Sequence, residues 1–234
     1  MDRMISAGTD APRALPRAAL LRALAGFAIV AQLALNASAW LLPQFSQFSA
    51  IGDYMSELVL GRHGWVQTAA FAVAGAGTLG LAWALSLTTR GAFGSWAGSV
   101  LVALNGIGLL LAALFQTDRV NGALNWAAFS LHMMVHTGGA LVSLIGIAAA
   151  MWVFARTFRR LPPWHELARW SAIFGVATVV LLLAQQIEGP MIGLLQRMLV
   201  GTISLWQIMV ALRIRAIASG RFESQQQATS AAAP

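Results

Sequence analysis

Long apolar blocks alternate with short polar segments along most of the chain. Each block is close to, or longer than, the roughly 20 residues that a helix needs to cross the hydrocarbon core of a bilayer. The pattern predicts six membrane-spanning helices, over residues 21–42, 65–87, 95–115, 125–154, 170–186 and 192–212. The predicted fold is therefore all-α, a polytopic membrane helical bundle that forms one domain over residues 21–215.

The two ends of the chain lack this apolar pattern. Residues 1–20 mix Arg, Asp, Gly and Pro, and residues 216–234 are polar and low in complexity. Both are predicted to be flexible tails. A cleaved signal peptide is an alternative for the first span, because arginines precede an apolar run that ends in the small residues 37–39. The run continues through Trp40 and Leu42, which favours a retained span.

Composition supports the membrane assignment and excludes several classes of function. The chain is 58% hydrophobic and only 10% charged, whereas soluble domains are roughly 25% charged. Its net charge of +7 comes from arginines scattered in short segments, so it does not form the basic stripe of a nucleic-acid-binding protein. With no cysteine, the chain has no disulfide, thiol nucleophile or cysteine zinc site.

The arginines also predict the orientation of the bundle. If the N-terminus is cytoplasmic, only three of the 15 arginines, Arg62, Arg119 and Arg197, fall in the outer segments. Cytoplasmic segments of membrane proteins carry an excess of basic residues. The sequence therefore predicts that both termini are cytoplasmic.

Polar side chains collect at the predicted outer ends of the spans. Half of the eight acidic residues belong to this group, which comprises Asp53, Glu57, Asp118, Glu188, Arg119, Arg197, His132 and His136. A helix that starts at residue 125 would place His132 roughly 10 Å and His136 roughly 16 Å below its outer end. Because polar side chains at such depth normally face the bundle interior or a wet cavity, we expect a cavity that opens to the outer leaflet.

The same residues are candidates for acid and base chemistry. Glu57 or Asp118 is predicted to act as a general acid, with His132 as the base or as the group that orients it. Asp118 has an equally strong structural interpretation as a turn or cap residue, and Asp53 is predicted to be structural. The structural interpretation of Glu57 is that it begins, with Ser56, a short interfacial helix over residues 56–60.

Four further residues are predicted to contact a substrate: His136, Arg197, Glu188 and Arg119. Arg197 would anchor an anionic group, since a planar guanidinium matches phosphate or carboxylate geometry. A buried arginine also needs a partner, for which Glu188, Asp118 and Glu57 are candidates.

His132 and His136 are four residues apart and thus share one face of a helix. Two imidazoles at this spacing can bind a metal ion, with Asp118 or Glu57 completing the shell. The simpler interpretation, which we favour, is that each histidine donates a hydrogen bond to a neighbouring helix. The sequence identifies no cofactor.

Short motifs at these positions resemble those of a known family. They are Ser56-Glu57-Leu58, Phe115-Gln116-Thr117-Asp118, His132, Gly193-Leu194-Leu195-Gln196-Arg197 and Trp206. The chain is similar here to the bacterial six-helix integral-membrane family catalogued as domain of unknown function nine-nine-eight. The resemblance covers roughly residues 21–215 and implies a multi-pass protein of the bacterial inner membrane, with no established reaction.

Two positions depart from the family pattern. Gln116 stands where the family has proline, which is expected to relax the turn that holds Asp118. Gln196 stands where the family has an acid, which removes the ion-pair partner expected beside Arg197.

Three hypotheses for function remain open from the sequence. The first is a membrane-embedded enzyme that acts on a lipid or isoprenoid, with membrane lipid as its partner. The second is a small proton-coupled transporter that uses the buried acids and histidines. The third is a non-catalytic binding or assembly subunit with a protein partner or a second copy of the chain.

Overall fold

A computed structural model describes residues 11–118, 130–187 and 189–220, with side chains from Arg17 onward. Six long helices account for most of these residues: α1 Ala11–Leu41, α2 Gly64–Thr88, α3 Ser95–Leu114, α4 Leu131–Phe158, α5 His165–Ala184 and α6 Ile192–Ala218. All six are long and apolar enough to cross a membrane. The described ranges contain no strand, so the predicted all-α bundle of six spans is confirmed.

The start of α4 differs from its prediction. The helix begins at Leu131 rather than at residue 125, because the Ser130 hydroxyl accepts a hydrogen bond from Met133 N at 3.1 Å and caps the first turn. His132 therefore lies in the first turn of α4, and His136 lies in the second. The predicted depths of these two histidines, measured from residue 125, are wrong.

The first and last helices extend beyond their predicted spans. Helix α1 begins at Ala11, within the predicted N-terminal tail, and α6 continues to Ala218. The added segments are rich in alanine, leucine and arginine, which are strong helix formers. Residues 1–10 and 221–234 lie outside the described residues, so flexible tails there stay a prediction.

Each helix packs against the next one in the chain, and α6 packs back against α1 to close a ring. Because successive helices alternate in direction, one end of the bundle carries the termini of the described chain, at the start of α1 and the end of α6. We call the opposite end, where α1 ends and α6 begins, the distal end. It corresponds to the predicted outer side.

Small residues bring neighbouring helices into direct backbone contact. A Cβ atom built on Gly75 of α2 would meet Gly106 O of α3 at 2.8 Å, and one on Gly106 would meet Gly75 O at 2.9 Å. On the next interface, a Cβ on Gly108 would lie 2.3 Å from Ser143 Cβ of α4. Helices in lipid gain most of their association from such close packing.

The two halves of the ring are filled differently. Large aromatic side chains occupy the half that carries the termini, where Phe158 stacks on Trp164 at 4.5 Å and Trp206 Nε1 donates to Ser171 Oγ at 3.0 Å. The distal half contains fewer large side chains in its centre and encloses a cavity.

Candidate functional site

The cavity lies inside the distal half of the ring and has a volume of about 650 Å³, the part that opens to the outside included. Its walls are mainly apolar and come from α1, α2, α3, α4 and α6, with Leu35, Phe71, Leu109, Leu144 and Val200 among them. The arrangement suits a hydrocarbon group.

Two groups of polar residues line the cavity at different depths. At the distal end it is bordered by Ser56, His136 and Gln196. Its floor consists of the amides and hydroxyls Gln32, Asn105, Ser143, Ser204 and Gln207. An amphiphilic molecule would thus meet polar atoms at both ends of an apolar chamber.

The floor is a continuous hydrogen-bond network. Gln32 Nε2 donates to Gln207 Oε1 at 2.8 Å and to Thr78 Oγ1 at 3.0 Å, and Gln32 Oε1 accepts from Ser204 Oγ at 2.8 Å. Gln207 Nε2 donates to Asn105 Oδ1 at 2.9 Å. The network joins α1, α2, α3 and α6 near the middle of the bundle.

Helix α4 joins the same network through Ser143. Asn105 Nδ2 donates to Ser143 Oγ at 2.8 Å, and that hydroxyl donates to Asn105 O at 3.3 Å. All members of the network are buried. Since α1 contributes Gln32, the first span packs into the bundle as a structural part of it, and its retention stays a prediction.

A loop segment, residues 46–60, covers the start of α6 at the distal end. Within it, Met55–Leu60 forms a short 3₁₀ helix close to the interfacial helix predicted at residues 56–60. Leu194 N donates to Ile51 O at 3.0 Å, and Met55 N donates to Gln196 Oε1 at 2.6 Å. Gln196, which departs from the family pattern, therefore holds the 46–60 segment in place.

Arg197 also attaches the 46–60 segment to the helices. Only 1% of this residue is exposed. Its Nε donates to Ala39 O at 2.9 Å, and its NH1 donates to Asp53 O at 2.8 Å and to Gly193 O at 3.0 Å. The carboxylates of Asp53 and Glu57 act electrostatically on the guanidinium. The required partner is thus supplied mainly by backbone carbonyls of α1, the 46–60 segment and α6 itself.

The acids of the 46–60 segment stabilise its turns. Asp53 Oδ2 accepts from Ser49 N at 2.7 Å, which confirms the structural role predicted for Asp53. Glu57 Oε2 accepts from Tyr54 N at 3.2 Å and caps the 3₁₀ helix. Met55 and Ser56 of this segment line the cavity, whereas Glu57 does not.

The corner between α3 and α4 holds the two histidines. The His132 ring is exposed and packs edge-on against the Phe115 ring at 5.4 Å. His136 is buried, and its Nδ1 lies 2.8 Å from Phe115 O. A carbonyl oxygen only accepts, so Nδ1 carries the proton, and in the neutral ring Nε2 is left as an acceptor. The favoured interpretation, a hydrogen bond to a neighbouring element, is confirmed for His136.

The structure brings the predicted site residues to one end of the bundle without placing them in one cluster. Of the residues predicted from the sequence, His136 lines the cavity, whereas Glu57, Asp118, His132 and Arg197 do not. Asp118 is half-buried after the end of α3. Arg119 and Glu188 lie outside the described residues. The roles predicted for all of these residues stay predictions.

The metal alternative gains no support from the geometry. Within residues 11–118, 130–187 and 189–220, no three histidine, cysteine or acidic side chains come together in a way that could hold a metal ion.

Sequence reasoning missed the floor of the cavity. Gln32, Asn105 and Gln207 are isolated amides within long apolar blocks. An amide at the centre of a span needs hydrogen-bond partners inside the bundle, and this was the available signal. The predicted site was based instead on charged residues and histidines, which lie at the distal end.

Comparison with known proteins agrees with the family suggested by the motifs. No curated protein and no solved structure matches the chain. The family model described as protein of unknown function (DUF998) matches residues 23–213, which include α2 to α5 whole, α1 from residue 23 and α6 up to residue 213. The chain therefore belongs to the DUF998 family of proteins of unknown function.

Proposed function

We propose that this protein binds a lipid or an isoprenoid of the membrane in the central cavity. The observation that carries the proposal is the combination of apolar cavity walls with a hydrogen-bonding floor and a polar distal border. An aqueous solute would leave the apolar walls without favourable contacts, whereas an amphiphile satisfies both kinds of surface. Six helices that are long and apolar enough to cross a membrane support a location of this cavity among membrane lipids.

The proposal includes an orientation in the bacterial inner membrane. We place the distal end at the outer leaflet, because the arginines are concentrated in the segments at the other end. Arg197 is one of the three exceptions, and its charge is buried and bonded to backbone carbonyls. The cavity would then receive its ligand from the outer leaflet.

A cavity-filling substitution tests the proposal. Ala140 of α4 lines the cavity, and leucine at this position would occupy part of the ligand volume. We expect wild-type protein purified in mild detergent to retain a lipid or isoprenoid in native mass spectra. The Ala140→Leu variant should retain at least tenfold less.

The matched control is Ala76→Leu, which adds the same side chain to the exposed face of α2. It should retain the ligand like wild type. Equal retention by both variants, or a wild-type protein without any bound amphiphile, would contradict binding in the cavity.

A second candidate is an enzyme that acts on the bound lipid. His136 favours it, because this titratable side chain lines the cavity and its ring is oriented by Phe115 O. A histidine held in this way is suited to accept a proton at Nε2. Glu57, Asp118 and His132 lie at the same end and remain the proposed acid and base groups of this version.

The same mass spectra separate binding from catalysis. An enzyme should hold two related species, substrate and product, and His136→Gln should shift their ratio toward the substrate. A single ligand that is unchanged in His136→Gln favours a binding protein. The transporter hypothesis receives less support, since the central network of described residues consists of amides and hydroxyls rather than titratable groups.

A further inference from the structure

Two side-chain amides at the floor of the cavity can each donate one more hydrogen bond than they do. A primary amide nitrogen carries two N–H groups. Both N–H groups of Gln32 are used, on Thr78 and Gln207. Gln207 Nε2 and Asn105 Nδ2 each donate one hydrogen bond, to Asn105 Oδ1 and Ser143 Oγ. In the part of the chain that the structure describes, one N–H group on each of these two nitrogens has no acceptor.

These two nitrogens belong to side chains that are almost fully buried and that line the cavity. Gln207 is 1% exposed and Asn105 is 3% exposed. A buried N–H group without an acceptor is costly, so a site of this kind favours a ligand that brings an acceptor. The matching group is an oxygen atom, such as that of a hydroxyl or a carbonyl.

The residues that line the cavity restrict the kind of headgroup that can carry this oxygen. Among the described residues that line the cavity there is no arginine, aspartate or glutamate, and His136 lies toward the distal border. Arg197, the buried arginine among the described residues, directs its Nε and NH1 to backbone carbonyls; its NH2 is buried without a hydrogen-bond partner, but the residue does not line the cavity. A phosphate at the floor would therefore lack a counter-charge.

The depth of the cavity floor within the spans also argues against a charged headgroup. Thr78, Asn105, Ser143 and Gln207 each lie near the middle of a helix that is long enough to span the membrane. An uncompensated charge is most costly at this depth, whereas a neutral oxygen that receives amide N–H groups is not.

We infer that the cavity selects a neutral amphiphile whose headgroup oxygen accepts hydrogen bonds from Asn105 and Gln207. This inference rests on the proposed function and names the ligand class for the same site. Two lipid sources share the required chemistry: diacylglycerols, through hydroxyl or ester carbonyl oxygens, and polyprenols, through the terminal hydroxyl.

Matched pairs of lipids test the inference on the wild-type protein. Dioleoylglycerol is compared with dioleoyl phosphatidate, and a polyprenol with its monophosphate, so that each pair shares its tails and differs in headgroup charge. Binding is measured by native mass spectrometry of detergent-purified protein at equal lipid concentrations. We expect the neutral member of at least one pair to bind ten times more tightly or better, and that pair identifies the source.

The possible failures are distinct. If a phosphorylated lipid binds as tightly as its neutral partner, and Ala140→Leu abolishes this binding, the headgroup inference is wrong and the proposed function stands. If Ala140→Leu changes the binding of none of the four lipids, both are wrong.

A variant of the floor gives an independent measurement. Asn105→Leu keeps the branched shape of the side chain but removes its amide, which donates to Ser143 and accepts from Gln207, so binding of the preferred neutral lipid should fall about tenfold. Asn36→Leu makes the same replacement on α1 outside the cavity lining and should bind like wild type. Unchanged binding by Asn105→Leu would overturn the role of this amide. If that variant does not fold, the comparison of headgroups on wild type decides alone.

Discussion

Replacing Arg197 with glutamine is expected to destabilise the folded bundle by about 3 kcal/mol, because hydrogen bonds from a charged donor contribute about 1.5–3 kcal/mol each. The guanidinium donates to carbonyls of Ala39, Asp53 and Gly193, which belong to three separate parts of the chain. Glutamine is too short to reach all three, so buried carbonyl groups would lose their donors. The 46–60 segment would also lose its attachment to α1 and α6.

Unfolding in detergent and limited proteolysis measure the two consequences. Arg197→Gln should unfold at a much lower temperature or denaturant concentration, and it should be cleaved faster within residues 46–60. Arg215→Gln is the control, because Arg215 lies on the same helix with an exposed side chain and should change stability by under about 0.5 kcal/mol. Equal stability of the two variants would show that Arg197 does not hold the segment.

The second large effect is expected at Gly193. A Cβ atom at this position would lie 2.2 Å from Asp53 O and 2.8 Å from Asp53 C, both backbone atoms that no side-chain rotation can move. Gly193→Ala must therefore push the 46–60 segment away from α6 and stretch the Arg197–Asp53 hydrogen bond. Overpacking typically costs about 1–3 kcal/mol, and because backbone atoms obstruct the new Cβ we expect a cost at the upper end of this range.

Gly201 of the same helix provides the matched substitution. A Cβ there would meet Asn36 Oδ1 at 3.6 Å, an ordinary contact. Alanine is favoured over glycine within a helix by about 1 kcal/mol, so Gly201→Ala should be neutral or stabilising. Detergent unfolding of both variants checks the opposite signs. A Gly193→Ala protein as stable as Gly201→Ala would contradict the close contact between α6 and Asp53.

The six spans were predictable because hydrophobic blocks of membrane length have few alternative structures. The start of α4 was not, since residues 125–129 continue the apolar pattern and only the Ser130 cap distinguishes the observed start. Likewise, the short 3₁₀ helix after α1 was indicated by Ser56 and Glu57, but its attachment to α6 depends on residues more than a hundred positions later.

The site was predicted less completely than the fold. A cavity in the distal half and the participation of His136 followed from polar residues in apolar surroundings. The sequence also indicated that Arg197 needs a partner, but charge pairing suggested acids, whereas the partners are mainly backbone carbonyls. Backbone carbonyls are present in every segment, so no sequence pattern distinguishes the ones that meet a given arginine.

The floor of the cavity shows a different limit. Each of Gln32, Asn105 and Gln207 is unremarkable alone, and their importance comes from the ring closure of α1 with α6, which brings residues 175 positions apart into contact. Such non-local contacts are set by the order of helices around the ring. The hydrophobic pattern of a single span carries no information about the order of the helices around the ring.

The central claim, that a neutral membrane amphiphile occupies the cavity, is tested most directly by photo-crosslinking in membrane vesicles. The probe is a diacylglycerol or polyprenol with a diazirine in its tail, and the labelled residues are identified by mass spectrometry. We predict labels on Leu109, Leu144 or Val200, which line the cavity, and their loss in Ala140→Leu. Labels confined to lipid-facing residues such as Val142 and Leu205, and unchanged in Ala140→Leu, would contradict the account.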